Sequence, residues 1–173
     1  RVTSADTGEV TVGTADYTFT SGNWDSAQTV TLTGINDDVD DGDIDTTVTI
    51  TVVDASSDNN FDALADQTIT VTTTDDDTAG FTKSQTTRTV TEAAGGGNTA
   101  TFTLELNAEP ASDVVLRVTS ADTGEATVGT ADYTFTAANW DSAQTVTLTG
   151  IDDDIIDVDT ETTVTITVVD DSS

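Results

Sequence analysis

The stretch Arg1-Val-Thr-Ser-Ala-Asp-Thr-Gly-Glu-Val-Thr-Val-Gly-Thr-Ala-Asp-Tyr-Thr-Phe-Thr-Ser-Gly-Asn-Trp-Asp-Ser-Ala-Gln-Thr-Val-Thr-Leu-Thr-Gly-Ile35 recurs at residues 117–151, an offset of 116. The match continues from Thr46-Thr-Val-Thr-Ile-Thr-Val-Val-Asp54 to residues 162–170. A repeat at fixed period sets the organisation of a chain before any local reading does. Residues 1–77 therefore read as the later part of one repeat, its opening strands missing. Residues 78–173 read as the opening part of the next, its last strand missing. A sheet left incomplete in this way carries an unpaired edge, which invites pairing with another chain.

Within the repeat the apolar period is two. Thr29-Val30-Thr31-Leu32-Thr33 puts Val and Leu on one face and threonines on the other, and Thr47–Val52 and Gln67–Thr72 do the same. Ala100–Leu106 alternates likewise, while Val114–Val118 is more continuously apolar. Thr suits the exposed face because its β-branch fits the pleat. Pro110, the chain's single proline, falls in a turn between two strands. Ala93-Ala94-Gly95-Gly96-Gly97-Asn98 reads as a mobile hairpin connection, since no Gly-Lys pair leads into the Thr99 that follows, as a phosphate loop would need. Short strands separated by turn signals predict an all-β fold of immunoglobulin-like Greek-key β-sandwich modules in tandem. Tyr17, Phe19 and Trp24, with Tyr133, Phe135 and Trp140 in the repeat, are expected in the core or plugging a sandwich end. The other reading of the tryptophans is a sugar-stacking platform.

Charge is the second signal. Lys and Arg number 4 against 33 Asp and Glu, a net charge of -29, with a mean hydropathy of -0.20. A chain this acidic lacks the basic face that a phosphate backbone requires, so nucleic acid is excluded as a partner. Cys, His and Met are absent, which removes disulfides, soft-metal sites and every triad that uses imidazole. No apolar run is long enough to predict a transmembrane helix. A Cys-free chain rich in Thr and Asp fits a secreted or cell-surface bacterial protein.

The carboxylates are concentrated at strand ends. One group is Asn36-Asp37-Asp38-Val39-Asp40-Asp41-Gly42-Asp43, which returns as Asp152-Asp153-Asp154-Ile155-Ile156-Asp157-Val158-Asp159; another is Asp75-Asp76-Asp77; a third pairs Asp6 with Glu9, and Asp122 with Glu125. Two carboxylates about 4 Å apart repel by roughly 1 kcal/mol in water and by more near a protein surface. With so few basic residues to compensate, hard cations are the natural counter-charge, and Ca²⁺ takes six to eight oxygen ligands. The bland alternative is a solvated acidic surface. An EF-hand fails because Asp does not alternate towards the glycine and Val158 stands where Gly42 stood; the Gly-Gly-x-Gly-x-Asp repeat of calcium-binding β-helices is also absent.

Gly129-Thr130-Ala131-Asp132-Tyr133, Gln144-Thr145-Val146-Thr147-Leu148, Gly150-Ile151-Asp152-Asp153-Asp154-Ile155 and Asp75-Asp76-Asp77-Thr78-Ala79-Gly80 together resemble the Calx-beta module. That module is known from sodium–calcium exchangers and from repeats of large bacterial surface proteins, and the bacterial branch is the nearer likeness. The resemblance implies an immunoglobulin-like sandwich with Ca²⁺ held in loops at one end, facing the next module. It also implies the ligands: Glu92, Asp122 or Asp6 (with Glu125 or Glu9 as rivals), Asp153, Asp154 and Asp157, their counterparts Asp37, Asp38 and Asp41, and Asp75, Asp76 and Asp77. Thr160 stands where the exchanger pattern has a further Glu. The expected function is a calcium-binding structural repeat of an adhesin stalk or filament, Ca²⁺ rigidifying module junctions. Its partners would be adjacent repeats of the same protein, in a strand-swapped or end-to-end homopolymer if open edges are completed by neighbouring chains. The alternative is a carbohydrate- or ligand-binding surface module. An enzyme, such as a glycosidase built on paired carboxylates, is not expected.

Overall fold

In the computed structural model of the chain, residues 1–92, 98–155 and 158–169 are described. Most of the Ala93–Asn98 connection, and Asp157 among the expected ligands, therefore lie outside the described residues. The fold is all-β and antiparallel; its only helical turn is a short 3₁₀ turn at Asp54–Ser56 among the described residues. No described helix is long and apolar enough to cross a membrane.

The chain divides into two compact units, one of residues 1–37 and 41–76 and one of residues 38–40 and 77–173. The first unit holds β1 (Val2–Ser4), β2 (Val10–Val12), β3 (Leu32–Gly34), β4 (Ile44–Ile50) and β5 (Gln67–Thr73). They form a three-stranded sheet in the order β1-β4-β5 and a two-stranded one, β2-β3. Its core is small: Val2, Val10 and Val48 are buried, with Val12, Tyr17, Leu32 and Val71 packed partly against them.

The second unit holds β6 (Phe81–Lys83), β7 (Thr99–Leu106), β8 (Val114–Ser120), β9 (Ala126–Val128), β10 (Asp132–Phe135), β11 (Gln144–Gly150) and β12 (Val164–Val168). A four-stranded sheet runs β6-β7-β11-β9 and a three-stranded sheet β10-β8-β12. Successive side chains of a strand point to opposite faces. Phe102, Leu104, Leu106, Val146 and Leu148 of the first sheet thus bury against Leu116, Val118, Tyr133 and Phe135 of the second. Two sheets sharing one core in this way make a β-sandwich.

Each unit carries the same ion pair. Arg1 Nε donates to Asp16 Oδ1 at 2.9 Å, and Arg117 Nε to Asp132 Oδ1 at 2.7 Å. In both pairs the second guanidinium nitrogen reaches the other oxygen, at 3.2 Å and 2.8 Å, which is the bidentate geometry that suits Arg and a carboxylate.

The aromatic expectation holds in the second unit; in the first it holds for Tyr17, which packs partly on the core, and fails for Phe19 and Trp24. Tyr133 and Phe135 are buried, but Phe19 is 56% and Trp24 71% exposed. The predicted strand Thr29–Thr33 is also shorter, since β3 begins only at Leu32. The physical reason is a missing neighbour: β11 lies between β7 and β9, whereas β3 pairs with β2 alone among the described residues.

Candidate metal centre

Glu9, Asp37 and Asp41 bring one carboxylate oxygen each within 4.8 Å of one another. Glu9 precedes β2, and Asp37 and Asp41 lie in the loop between β3 and β4. The β2-β3 pairing joins these two places. Val10 pairs with Gly34, and the Ile35 amide donates to the Glu9 carbonyl at 2.8 Å. Thr73 at the end of β5 gives the same carbonyl a second hydrogen bond, from Oγ1 at 3.1 Å. Sheet geometry thus fixes the Glu9 backbone from two sides.

The loop closes on the carboxylates that follow β5. Gly42 has φ of 78°, the left-handed region that glycine enters without a Cβ clash. Its amide donates to Asp75 Oδ2 at 2.7 Å, and the Asp75 amide donates to Asp43 Oδ1 at 3.0 Å. These bonds anchor the segment immediately after Asp41.

Electrostatics mark the same spot. The Glu9 carboxyl is raised above its ordinary value, first by desolvation and then by the negative charges of Asp41, Asp37, Asp6 and Asp75. Glu9 is half-buried and the two aspartates are exposed. Three carboxylate oxygens and no nitrogen or sulfur donor make a hard set, of the kind that suits Ca²⁺, Mg²⁺ or Mn²⁺ better than copper or a structural Zn²⁺. Exposed acidic groups are common without a metal; this cluster differs in drawing its members from separate segments held by backbone bonds.

The remaining expected ligands lie outside the trio, although the charges of Asp6 and Asp75 reach Glu9. Asp6 and Asp122 are turn residues: each accepts the amide two positions on, from Gly8 and Gly124, at 2.9 Å. Asp38 lends its carbonyl to the Glu109 amide at 2.6 Å within the second unit. Asp75, Asp76 and Asp77 follow β5 and are not members of the trio. In the second unit Glu92 Oε1 accepts the Asp153 amide at 3.3 Å, and Asp153 Oδ1 accepts the Ile155 amide at 2.7 Å. Asp154 is exposed in the same loop. By the repeat offset the counterpart of the trio is Glu125, Asp153 and Asp157, whose last member lies outside the described residues. Glu9 entered the sequence reading only as a rival to Asp6. The signal that favours it is register: Glu9 adjoins the first paired residue of β2, while Asp6 Oδ1 accepts the Gly8 amide within its own turn.

No protein-family model, no curated protein and no solved structure matches this chain.

Proposed function

We propose that the chain is a calcium-binding structural repeat of the Calx-beta kind, from an extracellular stalk or filament of a bacterial surface protein. The observation that carries this reading is the convergence of Glu9, Asp37 and Asp41 from two separate segments. Glu9, Asp37 and Asp41 would hold the ion, with Asp75 nearby to add negative potential. Bound Ca²⁺ supplies charge neutralisation and no bond chemistry. By tying the β3–β4 loop to the start of β2, it stiffens that end of the unit. Sites in extracellular modules commonly bind at about 10⁻⁴–10⁻³ M, weak affinities that suffice where calcium is plentiful. Open sheet edges are completed by neighbouring repeats, which makes the partner a protein of the same kind. No catalytic role is assigned to the carboxylates.

The test is a calorimetric calcium titration of the full chain. Saturable binding in the sub-millimolar to millimolar range supports the reading, and heat no larger than buffer dilution up to 10⁻² M overturns it. A second reading, a carbohydrate-binding module, is favoured by the exposure of Trp24. Against it, Trp140 at the same repeat position packs on the core. Sugars that shift tryptophan fluorescence at low calcium would select that second reading.

A further inference from the structure

Asp41-Gly42 is the chain's only Asp-Gly sequence, and Asn-Gly does not occur. The repeat carries Asp157-Val158 at the same place. An aspartate followed by glycine is open to a reaction within its own backbone. The glycine amide nitrogen attacks the aspartate Cγ, the amide proton and the carboxyl hydroxyl leave together as water, and a succinimide ring closes. Water then reopens the ring at either carbonyl. One opening restores aspartate. The other gives isoaspartate, in which the main chain runs through Cβ and Cγ and the former main-chain carbonyl becomes the free acid. A water is lost and a water is regained, so the step needs no oxidant, cofactor or enzyme.

The surroundings of Gly42 both permit this reaction and restrain it. Asp41 and Gly42 are exposed. A Cβ on Gly42 would meet nothing within 4 Å, so there is room beside the attacking nitrogen for a ring to close. A valine, as in the repeat, would crowd that nitrogen with a branched side chain. The restraint is a clasp between the β3–β4 loop and the segment after β5. The Gly42 amide donates to Asp75 Oδ2 at 2.7 Å, and the Asp75 amide donates to Asp43 Oδ1 at 3.0 Å. Because the acceptor of the first bond is a carboxylate, that bond is of the stronger, charge-assisted kind. While it holds, the Gly42 amide keeps its orientation and cannot turn its nitrogen onto Cγ of Asp41.

We infer that the Asp41–Gly42 bond is this chain's site of isoaspartate formation, and that the Asp75 carboxylate, by holding the Gly42 amide, sets the rate. The product adds an atom to the loop's backbone and moves the acid of Asp41 relative to Glu9 and Asp37. The reaction involves no ion and stands apart from the calcium reading.

The test is ageing of the full chain in chelator at neutral pH, with isoaspartate located by peptide mapping and electron-transfer fragmentation. Wild type is aged folded and in urea, and Asp75→Ala and Asp75→Asn are aged folded, strand content being checked by circular dichroism. In urea, isoaspartate should build up at Asp41 ahead of the exposed Asp25-Ser26 and Asp141-Ser142 pairs. Folded wild type should react more slowly by roughly tenfold or more, the worth of one hydrogen bond to a charged group. Asp75→Ala should recover most of that difference, and Asp75→Asn, which keeps a neutral acceptor, part of it. Asp75→Asn decides the matter if Asp75→Ala does not fold. No lead of Asp41 over the two Asp-Ser pairs in urea overturns the site. Folded wild type as fast as the urea sample overturns the role of Asp75, as does a folded Asp75 variant no faster than wild type.

Discussion

Carboxylate oxygens of Glu9 and Asp41 lie within 4.8 Å of each other, although one residue precedes β2 and the other sits beyond β3 in the loop to β4. The Ile35–Glu9 and Thr73–Glu9 hydrogen bonds hold the Glu9 backbone at 2.8 Å and 3.1 Å. The like charges are therefore held together by the fold against their own repulsion. In the proposed reading, a bound divalent ion turns that repulsion into a bond between segments.

Neutral isosteres at the trio should weaken calcium binding without unfolding the chain. Glu9→Gln and Asp41→Asn each remove a charged ligand and relieve repulsion at once. The expectation is tenfold or greater loss of calcium affinity by calorimetry, about 1.4 kcal/mol or more, with unchanged or slightly higher thermal stability in chelator. Asp25→Asn, outside the acidic groups at the strand ends, serves as control and should leave affinity as it was.

Gly42→Val copies the residue that the repeat carries at position 158. Gly42 holds φ of 78°, and no described non-glycine residue, Val158 included, has a positive φ. A β-branched residue forced there costs about 1–2 kcal/mol or changes the loop's path. Calcium affinity should fall even though no ligand is removed. Gly22→Ala, the other glycine the repeat replaces, should leave it unchanged.

Acid should act on the two kinds of carboxylate with opposite sign. Asp16 and Asp132 are lowered below their ordinary values, chiefly by the hydrogen bonds from Arg1 and Arg117. Their contribution is complete above the unfolded-state pKa and is lost as pH falls through the lowered folded value. Glu9 is raised, so the folded state binds its proton more tightly, and stability from this group declines as pH climbs from the ordinary glutamate value to the raised one. Because calcium needs the deprotonated ligand, its affinity should weaken as pH drops through that same window. Melting scans with and without calcium across the acid range check this. An Arg117→Gln variant should lose the stability decrement attributed to Asp132 at the lowest pH.

The same truncation at equivalent repeat positions should have unequal cost. Phe135 is 0% exposed in the sandwich core and Phe19 is 56% exposed. Phe135→Ala should destabilise the second unit by about 3–5 kcal/mol, whereas Phe19→Ala should change stability by no more than about 0.5 kcal/mol. Denaturant unfolding of both variants reads the difference.

The strand content was legible because Thr alternates with Val, Ile and Leu at a period of two, and β4, β5, β7 and β11 arise where that pattern runs. The repeat offset also predicted equivalent elements in the two halves. It did not predict that Trp24 and Trp140 would differ, because burial depends on a covering strand that neither tryptophan's local sequence encodes. For the candidate site, the density of carboxylates alone grouped Asp37 and Asp41 in one loop. Choosing Glu9 over Asp6 required the β2-β3 register, and the Gly42–Asp75 hydrogen bond spans a separation no local pattern reveals.

The most direct measurement is calorimetric melting of the full chain in calcium and in chelator at constant ionic strength. At calcium a hundredfold above its dissociation constant, the ion should add about 2.7 kcal/mol. For a unit of this size that raises its transition by on the order of 10 °C, and Glu9→Gln should abolish the rise. Superimposable melts in calcium and chelator would contradict the account.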